Sequence, residues 1–147
     1  MTNTRAAARA ALDLALRDGV PSRNWLERNA AGPQEAGELG VPLLILRDGE
    51  AEPDDEPTLG VRSFPWADTL TVEIHALTET AMEAVELVDT IIAELEAALA
   101  DRQLGGAVDF LEVGQPQPVI ADEIGVPPLL AATVPITLYY TSDRASG

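Results

Sequence analysis

Apolar and polar positions alternate with period two along LTVEIHAL (residues 70–77) and again along LLAATVPITLYYTS (129–142). Between them, TAMEAVELVDTIIAELEAALADRQL (80–104) spaces its apolar residues by three and four. Period two predicts half-buried strands, and the three–four spacing predicts an amphipathic helix. The first strand is read from Phe64 to Leu77, with Trp66, Leu70, Val72, Ile74 and Ala76 on one face and Thr69, Thr71, Glu73 and His75 on the other. The helix stripe is Val85, Val88, Ile92, Leu95 and Leu99, flanked by Met82, Leu87 and Ile91; Glu79, Glu83, Glu86, Thr90, Glu94 and Asp101 lie opposite. Thr80 and Glu83 form a capping-box pattern, with Thr78 as a competing cap. Gly105 and Gly106 supply the left-handed geometry that stops the helix. A short strand is expected over 107–113. In the last strand Leu130, Ala132, Val134, Ile136, Leu138 and Tyr140 share a face, and Pro135, lacking an N–H, marks an edge strand or a bulge.

The N-terminal half follows the same logic. A helix is expected to start after Thr2 or Thr4 and end near Arg17 at Gly19, burying Ala8, Leu12, Ala15 and Leu16 with Ala11 and Leu14 at the flanks. Arg9, Asp13 and Arg17, spaced by four, predict a solvated ion-pair row. Residues 21–40 form a connector that Trp25 and Leu26 anchor to the core. VPLLILRDG (41–49) reads as a strand whose continuous apolar run is covered on both faces, by helices of this chain or by another subunit. EAEPDDEPTLG (50–60) and residues 114–128 read as exposed loops, and 143–147 as a frayed end. The order α-β-β-α-β-β predicts an α/β domain of the α+β kind, a mixed four-stranded sheet packed by two main helices, with residues 1–147 forming one domain.

Charge narrows the function. The net charge is −16 over 147 residues, and all nine cations are arginine. A general electrostatic attraction to nucleic acid is therefore not expected. The acidity fits solubility, adaptation to high salt, or a surface that faces DNA without adhering to it. With no cysteine, disulfides, thiolate metal sites and cysteine nucleophiles are excluded. The Arg- and Ala-rich N-terminus is interrupted by Asp13 and Asp18 and lacks an apolar core segment, so it reads as a helix of the mature protein rather than a targeting peptide. No apolar run approaches the ~20 residues of a membrane span.

Catalytic motifs are missing. The sequence carries no P-loop, dinucleotide-binding glycine pattern, nucleophile elbow or His-based metal motif. Asp48, Glu50, Glu52 and Asp54 recur at every second position, but the order of an EF-hand loop is absent, so no metal and no cofactor is expected. His75 is the single histidine, and its Thr and Glu neighbours on a strand face predict a surface or interface residue rather than a base. An enzyme is not expected.

The run "VPLLILRDGEAEPDD", the strand "TLTVEIHAL", the helix end "LADRQLGG" and the closing strand "AATVPITLYYTSD" resemble the tail-terminator (tail-completion) proteins of long-tailed bacteriophages and of phage-like gene transfer particles. The resemblance is best over residues 41–143. It implies a structural virion protein that forms a homohexameric ring, caps the tail tube, ends its polymerisation and offers a docking face to the head–tail connector protein. Its place would be the head-proximal end of the virion tail, reached from the cytoplasm of the producing cell, with DNA passing the lumen unbound. Tube protein and connector would be its partners. Such a ring needs two heterologous contact surfaces per subunit. One candidate is the strand face of Thr69, Thr71, Glu73 and His75, and another the helix side of Glu83, Glu86 and Arg102. The acids Glu50, Glu52, Asp54, Asp55 and Glu56 of the first loop and Asp122 and Glu123 of the second are candidate docking or lumen elements. The first loop is longer and more acidic than the family pattern. Two other readings share the size and acidity: a neck or head-closure component of the same particle, and an acidic inhibitor that mimics DNA.

Overall fold

The computed structural model describes residues 4–21, 23–29, 42–53, 64–77, 81–121 and 129–142. Two strands of fourteen residues dominate it. Phe64–Leu77 (β4) pairs antiparallel along its whole length with Leu129–Ser142 (β7), from Phe64 opposite Ser142 to Leu77 opposite Leu129. Leu43–Arg47 (β2) and Ala51–Pro53 (β3) both pair antiparallel with the free edge of β4. Phe110–Val113 (β5) and Gln117–Ala121 (β6) do the same along β7. The two-residue Asn24–Trp25 (β1) adds a parallel pairing to β2.

The expected four strands are thus four rows, and the two outer rows are each broken in two. That makes seven strands in a mixed sheet rather than four. The breaks have the same form. Arg47 opposes Thr71 and Ala51 opposes Asp68, so three residues on the outer row span two on β4. Val113 opposes Ile136 and Gln117 opposes Thr133, so again three span two on β7. Each break is a one-residue bulge, which raises the local twist of the sheet. At the first, Gly49 lies so close to β4 that a Cβ there would stand 1.9 Å from the Thr69 carbonyl oxygen. At the second, the Gly114 N–H donates to the Pro135 carbonyl at 2.8 Å. Pro135 is therefore not on an edge strand. It lies in an inner row, opposite Thr71, with its missing N–H turned toward the bulge.

β3 and β6 lie inside the two stretches expected to be loops. Proline at the end of β3 and within β6 is compatible with an outer row, and the long inner strands supply the pairing partners. Residues 54–60, 122–128 and 143–147 lie outside the described residues.

Both helices pack on one face of the sheet. Arg5–Gly19 (α1) is capped by the Thr4 hydroxyl, which accepts from the Ala7 N–H at 3.1 Å, and buries Ala8, Leu12 and Leu16. Ala81–Ala98 (α2) begins directly after Thr80, itself outside the described residues, and buries Val88, Ile91 and Leu95, with Leu99 buried just past its end. The expected stripe is therefore displaced: Ile91 replaces Ile92 at the core, and Val85 is 49% exposed. α2 also ends sooner than expected. The Asp101 carboxylate accepts from the backbone N–H groups of Gln103 and Gly105, drawing the chain into a short turn at Leu104–Gly106. Gly105 and Gly106 take the left-handed φ values of 69° and 98° there, but they close this turn rather than α2, which has already ended at Ala98.

The helices meet Leu44, Leu46, Trp66, Leu70, Val72, Ile74, Ala132, Val134, Ile136, Leu138 and Tyr140 in one core. Trp25 anchors the connector as expected, with its indole N–H donating to the Val20 carbonyl at 3.1 Å. Ile45 is fully buried on the opposite face, outside that core, which accounts for the unbroken apolar run of β2.

Candidate functional site

Neither helix covers the second sheet face. Thr69, Thr71, Glu73 and His75 project from β4 there, together and half-buried, as the alternation predicts. β7 adds Thr133, Pro135, Thr137, Tyr139 and Thr141. The Thr69 and Thr137 hydroxyls are hydrogen-bonded across the strands at 3.0 Å. Glu73 pairs with Arg47 and also lies 3.0 Å from His75 Nε2. At the β5 side, the Tyr139 hydroxyl donates to Glu112 at 3.3 Å and the Thr141 hydroxyl to Asp109 at 2.8 Å. Phe110, opposite Tyr139, is 49% exposed. The two inner rows carry no charge between Pro65 and Thr71 or between Thr133 and Thr141 on this face. The inner rows are thus uncharged around Thr69 and Thr137, while the outer rows put Glu52, opposite Ala67, and Glu112, opposite Thr137, on the same face.

The second predicted surface is drawn out along the length of α2. Glu83 and Glu86 are exposed near the start of α2, whereas Arg102 follows its last turn. At 1.5 Å per residue, Glu83 and Glu86 lie about 22 Å and about 18 Å along the axis from the end of α2 at Ala98, which Arg102 follows. Glu50 and Glu52 are exposed on the outer row beside β4, while Asp54, Asp55, Glu56, Asp122 and Glu123 lie outside the described residues.

Sequence reasoning missed a buried polar cluster at the α1–sheet interface. Asp68 sits on the core face of β4 and is 0% exposed. Arg9 from α1 grips it twice, with Nε donating to Oδ2 at 2.6 Å and Nη2 to Oδ1 at 2.8 Å. The same Nη2 donates to the Gly49 carbonyl at 2.8 Å, and Nη1 lies 3.4 Å from Asp48. Arg28 reaches Asp48 from the other side at 3.3 Å. The Asp68 hydrogen bond raises the Arg9 pKa above its ordinary value, so this guanidinium stays charged. Next to it, Arg5 lies over the Trp66 ring at 5.6 Å. Burial raises the Tyr140 phenol above its ordinary pKa, and Arg5 pulls it the other way. The expected solvated row of Arg9, Asp13 and Arg17 is thus half right. Arg17 pairs with Asp13 at 2.9 Å, but Arg9 turns inward because a buried carboxylate attracts it more than an exposed one. The signal was present in the sequence: Asp68 occupies an apolar-parity position between Trp66 and Leu70.

A groove of 260 Å³ runs between the helices, lined by Ala11, Leu14, Ala15, Asp18, Ala98, Asp101 and Leu104. No group of three or more His, Asp or Glu side chains among the described residues is placed to hold a metal ion. No helix among them is long and apolar enough to cross a membrane.

No family model matches the chain, and no curated protein matches it. Among solved structures it is similar to the sheath/tube terminator of an extracellular contractile injection system (PVC), seen by cryo-EM in the extended state. The identity is 14% and the TM-score 0.45, over 96% of this chain and 57% of that one. The chain therefore spans little more than half the length of that structure.

Proposed function

We propose that this chain is a structural assembly protein of the tail-terminator kind, which acts through shape and surface rather than through catalysis. In this reading copies join into a ring, hexameric as in the family its sequence resembles. The ring caps a tail tube, stops tube growth and receives the head–tail connector, while DNA passes the acidic lumen unbound. The observation that carries the reading is the sheet face that neither helix covers. A chain of net charge −16 must meet copies of itself where charge is thinnest. The rows around Thr69, Thr71, Thr133 and Thr137 offer such a place, with Glu73 already compensated by Arg47. In this reading the exposed Glu50 and Glu52, on the outer row beside β4, meet a tube or connector subunit.

The test has two arms. Purified protein is examined by analytical ultracentrifugation, alone and with assembled tail tubes, and particles lacking it are imaged. The reading expects rings, free or on tube ends, and tails of uncontrolled length in the deletion. Protein that stays monomeric and ignores tube ends would sink it, and portal-side rather than tube-end binding would favour a head-closure role.

A further inference from the structure

From the outer crest of α2 we infer a docking site for a basic, apolar-bearing surface of a different protein. The inference does not depend on ring formation. α2 contains no arginine, lysine or histidine. Its core-facing side is Val88, Ile91 and Leu95. At 100° per residue, the crest on the opposite side carries Met82, Glu86, Asp89, Ala93 and Glu96, with Val85 on its shoulder. Met82 is 73% exposed and Val85 49%. The Glu86, Asp89 and Glu96 carboxylates have no ion pair among the described residues, whereas Glu94, facing the connector, pairs with Arg23 at 2.9 Å. The crest therefore combines unburied apolar side chains with uncompensated negative charge along about 21 Å of helix.

Charge complementarity decides the occupant. Among the described residues a second copy of this chain has little free cationic charge to offer. Of the seven described arginines, Arg9, Arg17, Arg23, Arg28 and Arg47 are held in ion pairs, and Arg5 lies over Trp66. Arg102 alone is without an ion pair or ring contact among the described residues. Two copies, each at −16, would also repel at this face. A partner with arginine or lysine around an apolar stripe satisfies both features. Its cations meet Glu86, Asp89 and Glu96, and its apolar residues cover Met82 and Val85. Ala93 lets its backbone come close. Methionine suits such a contact because its flexible thioether adapts to the opposing shape.

The probe is a synthetic helix of about 18 residues, five turns, with leucines along one stripe and arginines elsewhere, against a scrambled peptide of the same composition. Met82 and Met1 are the two methionines, so the Met82 methyl resonance reports contact at the crest directly. The expected result is a Met82 shift with the striped peptide and none with the scrambled one. Met82→Asp with Val85→Asp should weaken binding about tenfold or more by removing apolar burial. Glu86→Gln with Asp89→Asn should weaken it and flatten its dependence on salt between about 0.05 and 0.5 M. Asp18→Asn with Glu27→Gln, an equal change of net charge elsewhere, should do neither. An unmoved Met82 resonance, or a control pair as damaging as the crest pair, overturns the inference. So does dissociation of a homo-oligomer by the Met82/Val85 variant, which would assign the crest to a second copy.

Discussion

Removing Arg9 should cost more than removing the charge of Asp68, although the two form one pair. Asp68 is fully buried, and among the described residues Arg9 is the cation it touches. Arg9→Ala strands an ionised carboxylate in the core, a class of change that costs about 3–5 kcal/mol. Asp68→Asn keeps the side-chain volume and leaves a guanidinium that is still 14% exposed, hydrogen-bonded to Gly49 at 2.8 Å and 3.4 Å from Asp48. That residual partnering should hold the loss to about half, near 2 kcal/mol. Replacing both by leucine removes the desolvation cost together with the attraction, and should come within about 1 kcal/mol of wild type or exceed it. Urea unfolding at neutral pH measures all three, and thermal midpoints should move by about 2–4 °C per kcal/mol for a chain of this size. The reasoning is refuted if Arg9→Ala costs less than about 1 kcal/mol, or if the double leucine variant is as unstable as Arg9→Ala.

Three further outcomes follow from the packing. Leu95→Ala should cost about 2–5 kcal/mol, whereas Val85→Ala, at an exposed position, should stay within about 0.5 kcal/mol; parallel urea titrations would separate them. Gly49→Ala should destabilise by more than about 1 kcal/mol, because the new methyl would stand 1.9 Å from the Thr69 carbonyl oxygen and the bulge must shift; the urea midpoint should fall and amide exchange quicken in β2 and β3. Tyr140 has a folded pKa above its unfolded value of 10.0, so its contribution is fully present below pH 10 and is lost as pH rises through the higher folded value. Stability measured from pH 9 upward should therefore fall in wild type and fall less in Tyr140→Phe, with tyrosinate absorbance tracking the difference.

Much of the fold was legible because two strong periods dominate it. The strand at 64–77 is placed by alternation to the residue at both ends, and the polar set Thr69, Thr71, Glu73 and His75 falls on one face as read. The core of α1 was equally plain. What was not legible depends on tertiary context. β3 and β6 lie in acidic, proline-bearing stretches whose local preference is for loop, and pairing with longer neighbours overrides that preference. Val85 obeys the helical period, yet it is left exposed, because the period gives the direction of the stripe but not how far the helix lies over the sheet. The separation of Arg102 from Glu83 and Glu86 was hidden because they were grouped as one side rather than by their distance along the helix axis. Asp68 was the one avoidable miss, since its parity already put a carboxylate among core residues.

The distribution of arginine links the two surfaces. With nine cations against twenty-five acids, every arginine spent inside the fold deepens the charge imbalance outside it. Most of the described arginines are so spent: Arg9 holds α1 to the sheet, Arg23 ties the connector to α2, Arg28 braces Asp48 and Arg47 neutralises Glu73. The exterior is thereby sorted into regions with different physical options. The inner rows around Thr69 and Thr137 carry no charge of their own, with Glu52 and Glu112 on the outer rows beside them, so association with a like-charged copy meets less repulsion there than at the helices and gains from pre-paired hydrogen-bonding side chains. The α2 crest is the reverse, acidic and uncompensated, and association there requires a cationic partner. A protein built this way would respond to salt in opposite senses at its two proposed contacts. Screening would ease self-association at the sheet face and weaken partner binding at the crest. Measuring both on one sample across a salt series tests the sorting itself: if the two respond in the same direction, the division of labour between the faces is wrong.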